Sequence, residues 1–321
     1  MTTIRHRIRE LSQRSRFPVS ATATVTALRE LSPSYTRVTV VAPEFAEYEP
    51  TLPADGIKVA LPGSDGAPEL RAMTVSNRPG PDTIEFDVLR HEGGILSPWL
   101  TAVQPGEQIE VHAVRREHAI GDGITVHLIV ADASALPAAS SIVRALPSHH
   151  RVHALLHAPT VADAAAVIPE HPGLTVSLRT GEPWSVEELQ SALGELLARV
   201  SAAGSNSGRD SGAVPGSGAV RDSGARPGQG PGSLQSWVAA EAAVTAAARK
   251  TLAAHGHHRD NLFAAAYWNA ATDSTARDER IRTAFSQAVR LQADLADPET
   301  RAAVEAAADA VDRAAAPPSL R

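Results

Sequence analysis

The chain contains no cysteine. That excludes disulfides, thiolate catalysis and cysteine-ligated zinc or iron–sulfur centres. Aromatic residues make up only 4% of the chain, so its cores must be built from small aliphatic side chains. Lysine occurs only at Lys58 and Lys250, the formal net charge is −6, and no basic run of any length appears. Nucleic-acid binding therefore has no electrostatic footprint here. No apolar stretch reaches the ~18 residues that a membrane span needs, so no membrane insertion is expected. The start, MTTIRHRIREL, is basic but has no apolar core segment, so it does not read as a secretory signal. The expectation is a cytoplasmic protein. Neither a G-x-S-x-G elbow nor an H-E-x-x-H helix is present, which leaves hydrolase chemistry without support.

The 321 residues, 43% of them hydrophobic, suffice for two modest domains. From Ala23 to Leu28 and Tyr35 to Val41 the chain alternates and is rich in Thr and Val, as half-buried antiparallel strands require. Ile57–Leu61, Arg71–Val75, Thr83–Leu89 and Gln108–Val114 continue the set. Six short strands separated by Pro, Gly and Asp turns predict a small closed barrel over residues 1–120. After Gly121-Asp122-Gly123 the character switches. Val126–Ala131 is a continuous apolar run, as in a parallel strand covered on both faces. Strand–helix alternation then continues to residue 271, the mark of a doubly wound α/β domain. Within it, residues 201–232 are rich in Gly, Ser, Pro, Arg and Asp, with Arg209–Ala213 repeated as Arg221–Ala225. Such a stretch cannot bury apolar surface and predicts a disordered insert. Residues 272–321 read as a helical extension, with Ile281, Phe285, Ala288, Gln292 and Leu295 at helical spacing.

The stretch that carries chemistry runs from Leu70 to Trp99. It reads as a strand bearing an exposed cation, Arg71, then a turn at Asn77-Arg78-Pro79-Gly80, then a strand leading to Gly93-Gly94. Ser97-Pro98 is placed there as an N-cap and first helical residue. Backbone amides at such a helix start attract a phosphate, and a facing arginine closes the clamp. Each part also has a plain structural reading: a solvated strand arginine, a β-forming Thr74, an N-capping Ser97. Trp99 reads as core. His149-His150 and His255, His257 and His258 lack the supporting carboxylates of a metal site, so none is expected.

At these residues the sequence resembles the siderophore-interacting proteins, which resemble FAD-dependent ferric-siderophore reductases built on a ferredoxin-reductase-type barrel. The matching pieces are Arg71 and Thr74, then Gly94-Ile95-Leu96-Ser97 with Trp99. Asp55 and Lys58, Pro105-Gly106-Glu107, Ala131-Asp132 with Ala135-Leu136-Pro137-Ala138, Glu241, and Tyr267-Trp268 follow in order. The resemblance implies an N-terminal antiparallel FAD-binding barrel, an α/β NAD(P)-binding-like domain and C-terminal helices. It implies FAD held by Arg71, Met73, Thr74, His91, Gly93, Gly94 and Ser97. Asp132, Ser134, Glu241, Tyr267 and Trp268 would face the nicotinamide nucleotide and the cleft. NAD(P)H or a ferredoxin-like protein would supply electrons, and a ferric siderophore would receive them. Met73 stands where the family carries an aromatic ring, Ser76 where it carries a second arginine (with Arg78 nearby), Ala240 where it carries glycine and Asn269 where it carries a basic residue. These four departures motivate an alternative: a flavin-poor binding or regulatory protein that keeps the reductase fold.

Overall fold

A computed structural model describes residues 4–14, 20–63, 68–91, 94–206, 233–258 and 260–270. A helix, α1 (Ile4–Arg14), precedes six strands: β1 (Ser20–Ser32), β2 (Tyr35–Val41), β3 (Gly56–Pro62), β4 (Pro68–Gly80), β5 (Thr83–Leu89) and β6 (Gln108–Arg115). They pair antiparallel and close in the order β1-β2-β5-β4-β3-β6. Alternation along each strand sends one set of side chains inward. Ala21, Ala23 and Val25 meet Val38, Val40, Ile57, Val59, Ile84 and Phe86 in one core. Phe45 and Tyr48, delivered by a short 3-10 turn at Pro43–Glu47, close it from one side. Helix α2 (Leu96–Ala102) adds Trp99, the core residue the sequence suggested.

Strand β4 runs to Gly80, through the tetrapeptide that reads as a turn. The chain reverses instead at Pro81-Asp82, with Gly80 opposite Thr83. Arg78 explains the difference: its guanidinium donates to the carbonyls of Phe45, Tyr48 and Pro81, to Thr51 Oγ1 and to Glu49. Those bonds hold Pro79-Gly80 extended, and two register shifts absorb the proline's missing donor. Both terminal nitrogens of Arg78 are thereby engaged in structure.

The second unit is a parallel sheet of β7 (Ile124–Ala131), β8 (Arg151–Ala158), β9 (Leu174–Thr180), β10 (Ser233–Glu241) and β11 (Leu262–Trp268), ordered β11-β10-β7-β8-β9. Helices α3 (Leu136–Ala145), α4 (Val161–Val167), α5 (Val186–Asn206) and α6 (Ala242–Ala254) cover it. One face packs α3 and α4 through Ile129, Leu136, Ile142, Leu156 and Trp237; the other packs α5 and α6 through Leu128, Leu193, Val238 and Leu252. Helix α5 extends past Val200 to Asn206, into the stretch read as an insert. The remainder of that insert and the C-terminal extension lie outside the described residues. No described helix is long and apolar enough to cross a membrane.

Barrel and sheet share a core, because Tyr35 and Ala54 pack among the sheet's buried side chains. Tyr35 Oη donates to Ala133 O at 2.6 Å, and Ala54 N donates to Ser141 Oγ at 2.7 Å. Asp163, at the start of α4, accepts from Ser32 Oγ, Ser34 N and Ser34 Oγ. Ala54 holds φ at 57°, a left-handed conformation that a non-glycine residue adopts at a cost of about 1–2 kcal/mol. The seam contacts on both sides of it fix that geometry.

Candidate functional site

Cross-strand register decides which side chains of β4 can reach a ligand. Arg71 lies opposite Val59, Met73 opposite Ile57 and Thr74 opposite Gly56. Directly paired residues point to the same side of a sheet. Val59 and Ile57 are barrel core, so Arg71 and Met73 share the inner face and Thr74 the outer one. Arg71 is therefore a buried arginine, ion-paired to Glu69, and not the exposed cation that the sequence suggested. Met73 is 7% exposed and packs in the barrel core.

On the outer face, Gly56 sits between Thr74 of β4 and Arg115 of β6. A Cβ built on Gly56 would sit in ordinary contact with Arg115 and Met73, at 3.7 Å and beyond, so the missing side chain leaves a shallow notch one methyl deep. Tyr267, at the end of β11, comes to this row. Its hydroxyl donates to Glu117 Oε2 at 2.7 Å and also contacts the Thr74 hydroxyl. Arg115 Nε lies 3.1 Å from Glu117 Oε1. Burial, with the Glu117 carboxylate second, holds the Tyr267 hydroxyl well above the ordinary phenol range. Its ring stands edge-on to Trp237, with centroids 6.2 Å apart.

Beneath the row lies a buried polar pocket that the sequence did not announce. Asp55 is fully buried; it accepts from Tyr48 Oη and from Leu52 N, and Arg116 Nη1 lies 3.7 Å away. Burial pushes the Asp55 carboxyl up to about 7, against the opposing pull of Arg116. Arg116 and Glu117 follow β6 without any motif, so charge alone gave no signal that they would be interior.

Helix α2 begins at Leu96, so Ser97 lies inside it and Ile95 is the N-cap. The Ser97 hydroxyl closes the preceding loop instead: it donates to His91 O at 2.8 Å and accepts from His91 N at 3.2 Å. Gly94 takes φ 71°, which makes its lack of a side chain necessary in this loop. Gly93 lies outside the described residues.

The carboxyl edge of the sheet gathers the second set. The chain leaves β7 toward β8 and β9, then returns to β10 and β11 on the other side. That puts a topological switch point between β7 and β10, where open α/β sheets bind ligands. Asp132 fills it. One of its oxygens accepts from Ser134 N and Oγ at 3.0 and 2.6 Å, the other from Glu241 N at 2.8 Å and Trp268 Nε1 at 2.7 Å. Burial raises the Asp132 carboxyl, and these four bonds counter it. Glu241 caps α6 through Ala243 N and Val244 N. Asp132, Ser134, Glu241 and Trp268 thus form one network, while neighbouring Tyr267 belongs to the notch. The histidines lie elsewhere, at the sheet's opposite edge, where His127 Nε2 and His150 Nδ1 are 2.9 Å apart. Among the described residues no group of three or more metal-ligating side chains is placed to hold an ion.

Residues 124–271 match the family model described as siderophore-interacting protein. The mycobactin import ATP-binding/permease protein IrtA of Mycolicibacterium smegmatis is 29% identical over 185 residues, 55% of this chain and 21% of that protein. The chain thus spans about a fifth of the length of the curated relatives it matches. Among solved structures, a siderophore-interacting protein from Acinetobacter baumannii is 18% identical with a TM-score of 0.61, covering 84% of this chain and 99% of that one. The ferredoxin reductase of carbazole 1,9a-dioxygenase is 19% identical with a TM-score of 0.53, covering 78% and 69%. Those two likenesses concern the fold: a closed barrel followed by a parallel α/β sheet. Residues 124–271 are thus similar to the siderophore-interacting proteins, and the barrel that precedes them shares its fold with the barrels of those two solved structures.

Proposed function

We propose that the protein is a flavin-dependent oxidoreductase that reduces ferric siderophores, with FAD held between barrel and sheet. The observation that carries this reading is the notch at Gly56, bordered by Thr74 and Arg115 and faced by Tyr267. It offers what the ring end of a flavin needs: a position without a side chain, hydroxyl groups and an aromatic neighbour. Arg71 would supply the cation for the diphosphate once released from the Glu69 carboxylate, which it now holds on the barrel's inner face. A diphosphate would compete with Glu69 for that guanidinium. Bound FAD would accept a pair of electrons and return them singly, which suits reduction of chelated Fe(III) to the more weakly held Fe(II).

The chain's own residues would position and insulate the ring. Glu117, fixed by Arg115, orients the Tyr267 hydroxyl toward Thr74, and Trp237 sets the angle of the Tyr267 ring. At the sheet edge the residues fit a dinucleotide diphosphate poorly, since carboxylates occupy both places where one would sit. Of the two electron sources that the family resemblance implies, this favours a ferredoxin-like protein over NAD(P)H.

The alternative, a flavin-poor binding protein on the same fold, is favoured by the inward-facing Arg71 and Met73. A visible absorption spectrum separates the two, taken before and after loading with FAD and removal of unbound flavin. A retained flavin spectrum, lost in both Arg71→Ala and Gly56→Leu, is the result expected. A colourless protein that cannot be loaded leaves the binding-protein reading.

A further inference from the structure

A cleft of about 450 Å³ opens between the barrel and the sheet, lined by Arg29 and Arg37 of the barrel and by Arg144 of α3 and the segment ending at Glu170. It is not the notch. Its barrel wall is β1 and β2, and β1 lies three strands from β4 around a closed six-strand barrel. The volume falls within the range of about 300–1,000 Å³ typical of small-molecule sites.

The charges lining it are unevenly spent. Arg37 is consumed: Nε and Nη2 hold both oxygens of Asp87, at 2.6 and 2.9 Å, and Nη1 lies 3.4 Å from Glu85. Glu30 lies 3.6 Å from Arg90. Arg29 sits directly opposite Arg37 across the β1–β2 pair. Among the described residues the Arg29 side chain has no hydrogen-bond or ion-pair partner, and Arg144 has only Ser140 Oγ, at 3.4 Å. Two arginines, one from the barrel and one from α3, thus line one cleft with most of their donors uncommitted among the described residues. Glu170, at the far side, likewise has no partner among the described residues. Leu31, Val167 and Ile168 contribute an aliphatic floor.

We propose that this cleft is a second ligand site, taking a small organic carboxylate that also carries a hydroxyl or amine. Arg29 and Arg144 clamp the carboxylate oxygens from opposite sides, as planar guanidiniums do better than ammonium groups. Glu170 accepts from the hydroxyl or amine, and the floor packs the carbon skeleton. The site is independent of the flavin reading, because none of these residues touches the notch.

The test is calorimetric titration of the full chain with citrate and with propane-1,2,3-tricarboxylate, which lacks the hydroxyl. The expected result is saturable 1:1 binding that prefers citrate. Arg29→Ala and Arg144→Ala should each weaken it by about tenfold, roughly the loss of one charge-assisted contact. Glu170→Ala should abolish the preference between the two acids. Arg151→Ala, at an exposed arginine outside the cleft, should leave both titrations unchanged. Absence of saturable binding at millimolar concentration overturns the proposal, and so does equal weakening by Arg151→Ala. Flavin loading, followed by absorption on the same variants, reports separately on the notch.

Discussion

The barrel and the sheet treat their buried carboxylates in opposite ways. At the sheet's switch point Asp132 receives four donors, enough to saturate both oxygens, and the crevice there is closed by the protein itself. In the barrel, Asp55 keeps one oxygen without a hydrogen-bond partner among the described residues, and the nearby Arg116 has two nitrogens without one, its contact to Asp55 being a 3.7 Å ion pair. Glu69 meanwhile neutralises the one arginine the family pattern points to. A saturated network fixes structure and resists a ligand, whereas an incompletely satisfied one can exchange a partner. On that contrast the proposed flavin binding falls on the barrel's side of the seam, and rigidity on the sheet's.

The most forceful way to test that contrast is pH. His118 and His127 are buried with ring nitrogens lacking partners, and burial lowers them to about 4 and about 3; His257 falls to about 4 for the same first cause. Unfolded histidine takes up a proton near pH 6.5, whereas these do so only near pH 4 or below. The unfolded state therefore binds more protons between those limits, and stability falls as pH drops from about 6.5 to about 4. Asp55 and Asp132 act in reverse. Their raised carboxyls bind protons first in the folded state, so the stability they contribute is complete below the unfolded value and is lost as pH rises through the folded one. With three histidines set against two carboxylates, urea unfolding at pH 4.5 should give a stability several kcal/mol below that at pH 7. A flat profile would mean that the histidine end of the sheet is open to water.

Asp132→Ala comes next. It strands the amides of Ser134 and Glu241 and the Trp268 indole, so a loss of about 3 kcal/mol in urea unfolding is expected. An effect under about 1 kcal/mol would mean that water replaces the carboxylate, and the crevice would then be available to a ligand after all. The smallest effect is expected on the barrel. Glu69→Gln frees Arg71 from its competing anion while keeping a hydrogen-bond acceptor beside it, and should tighten FAD by a few-fold, up to about 1 kcal/mol. Weaker binding in that variant would show that the pair holds Arg71 in its binding orientation.

Much of the architecture was legible in the sequence, because Thr/Val alternation and apolar runs respond to local rules. The six barrel strands and the parallel strands fall where those patterns lie. Pro79-Gly80 misled, since its extended form depends on Arg78 reaching carbonyls about 30 residues away in sequence. Ser97 misled for a smaller reason: the helix starts one residue before it, and its hydroxyl closes a loop. The face of Arg71 was there to be read. Met73 and Val75 continue its alternation as core residues, so the period of two already turned the arginine inward. The Glu117–Tyr267 bond was not, because it joins residues 150 apart.

The strand order has a consequence for synthesis on the ribosome. β7, β8 and β9 emerge in sequence and can pair at once, but β10 belongs beside β7 and starts only at Ser233. Until then the inner flank of β7, with its apolar Leu128, Ile129 and Val130, presents unpaired backbone groups. The nascent chain thus carries a bare, hydrophobic edge through the whole interval in which α5 and the following segment are made. Slow translation across that interval would lengthen the exposure, and chaperone capture at β7 is the natural remedy.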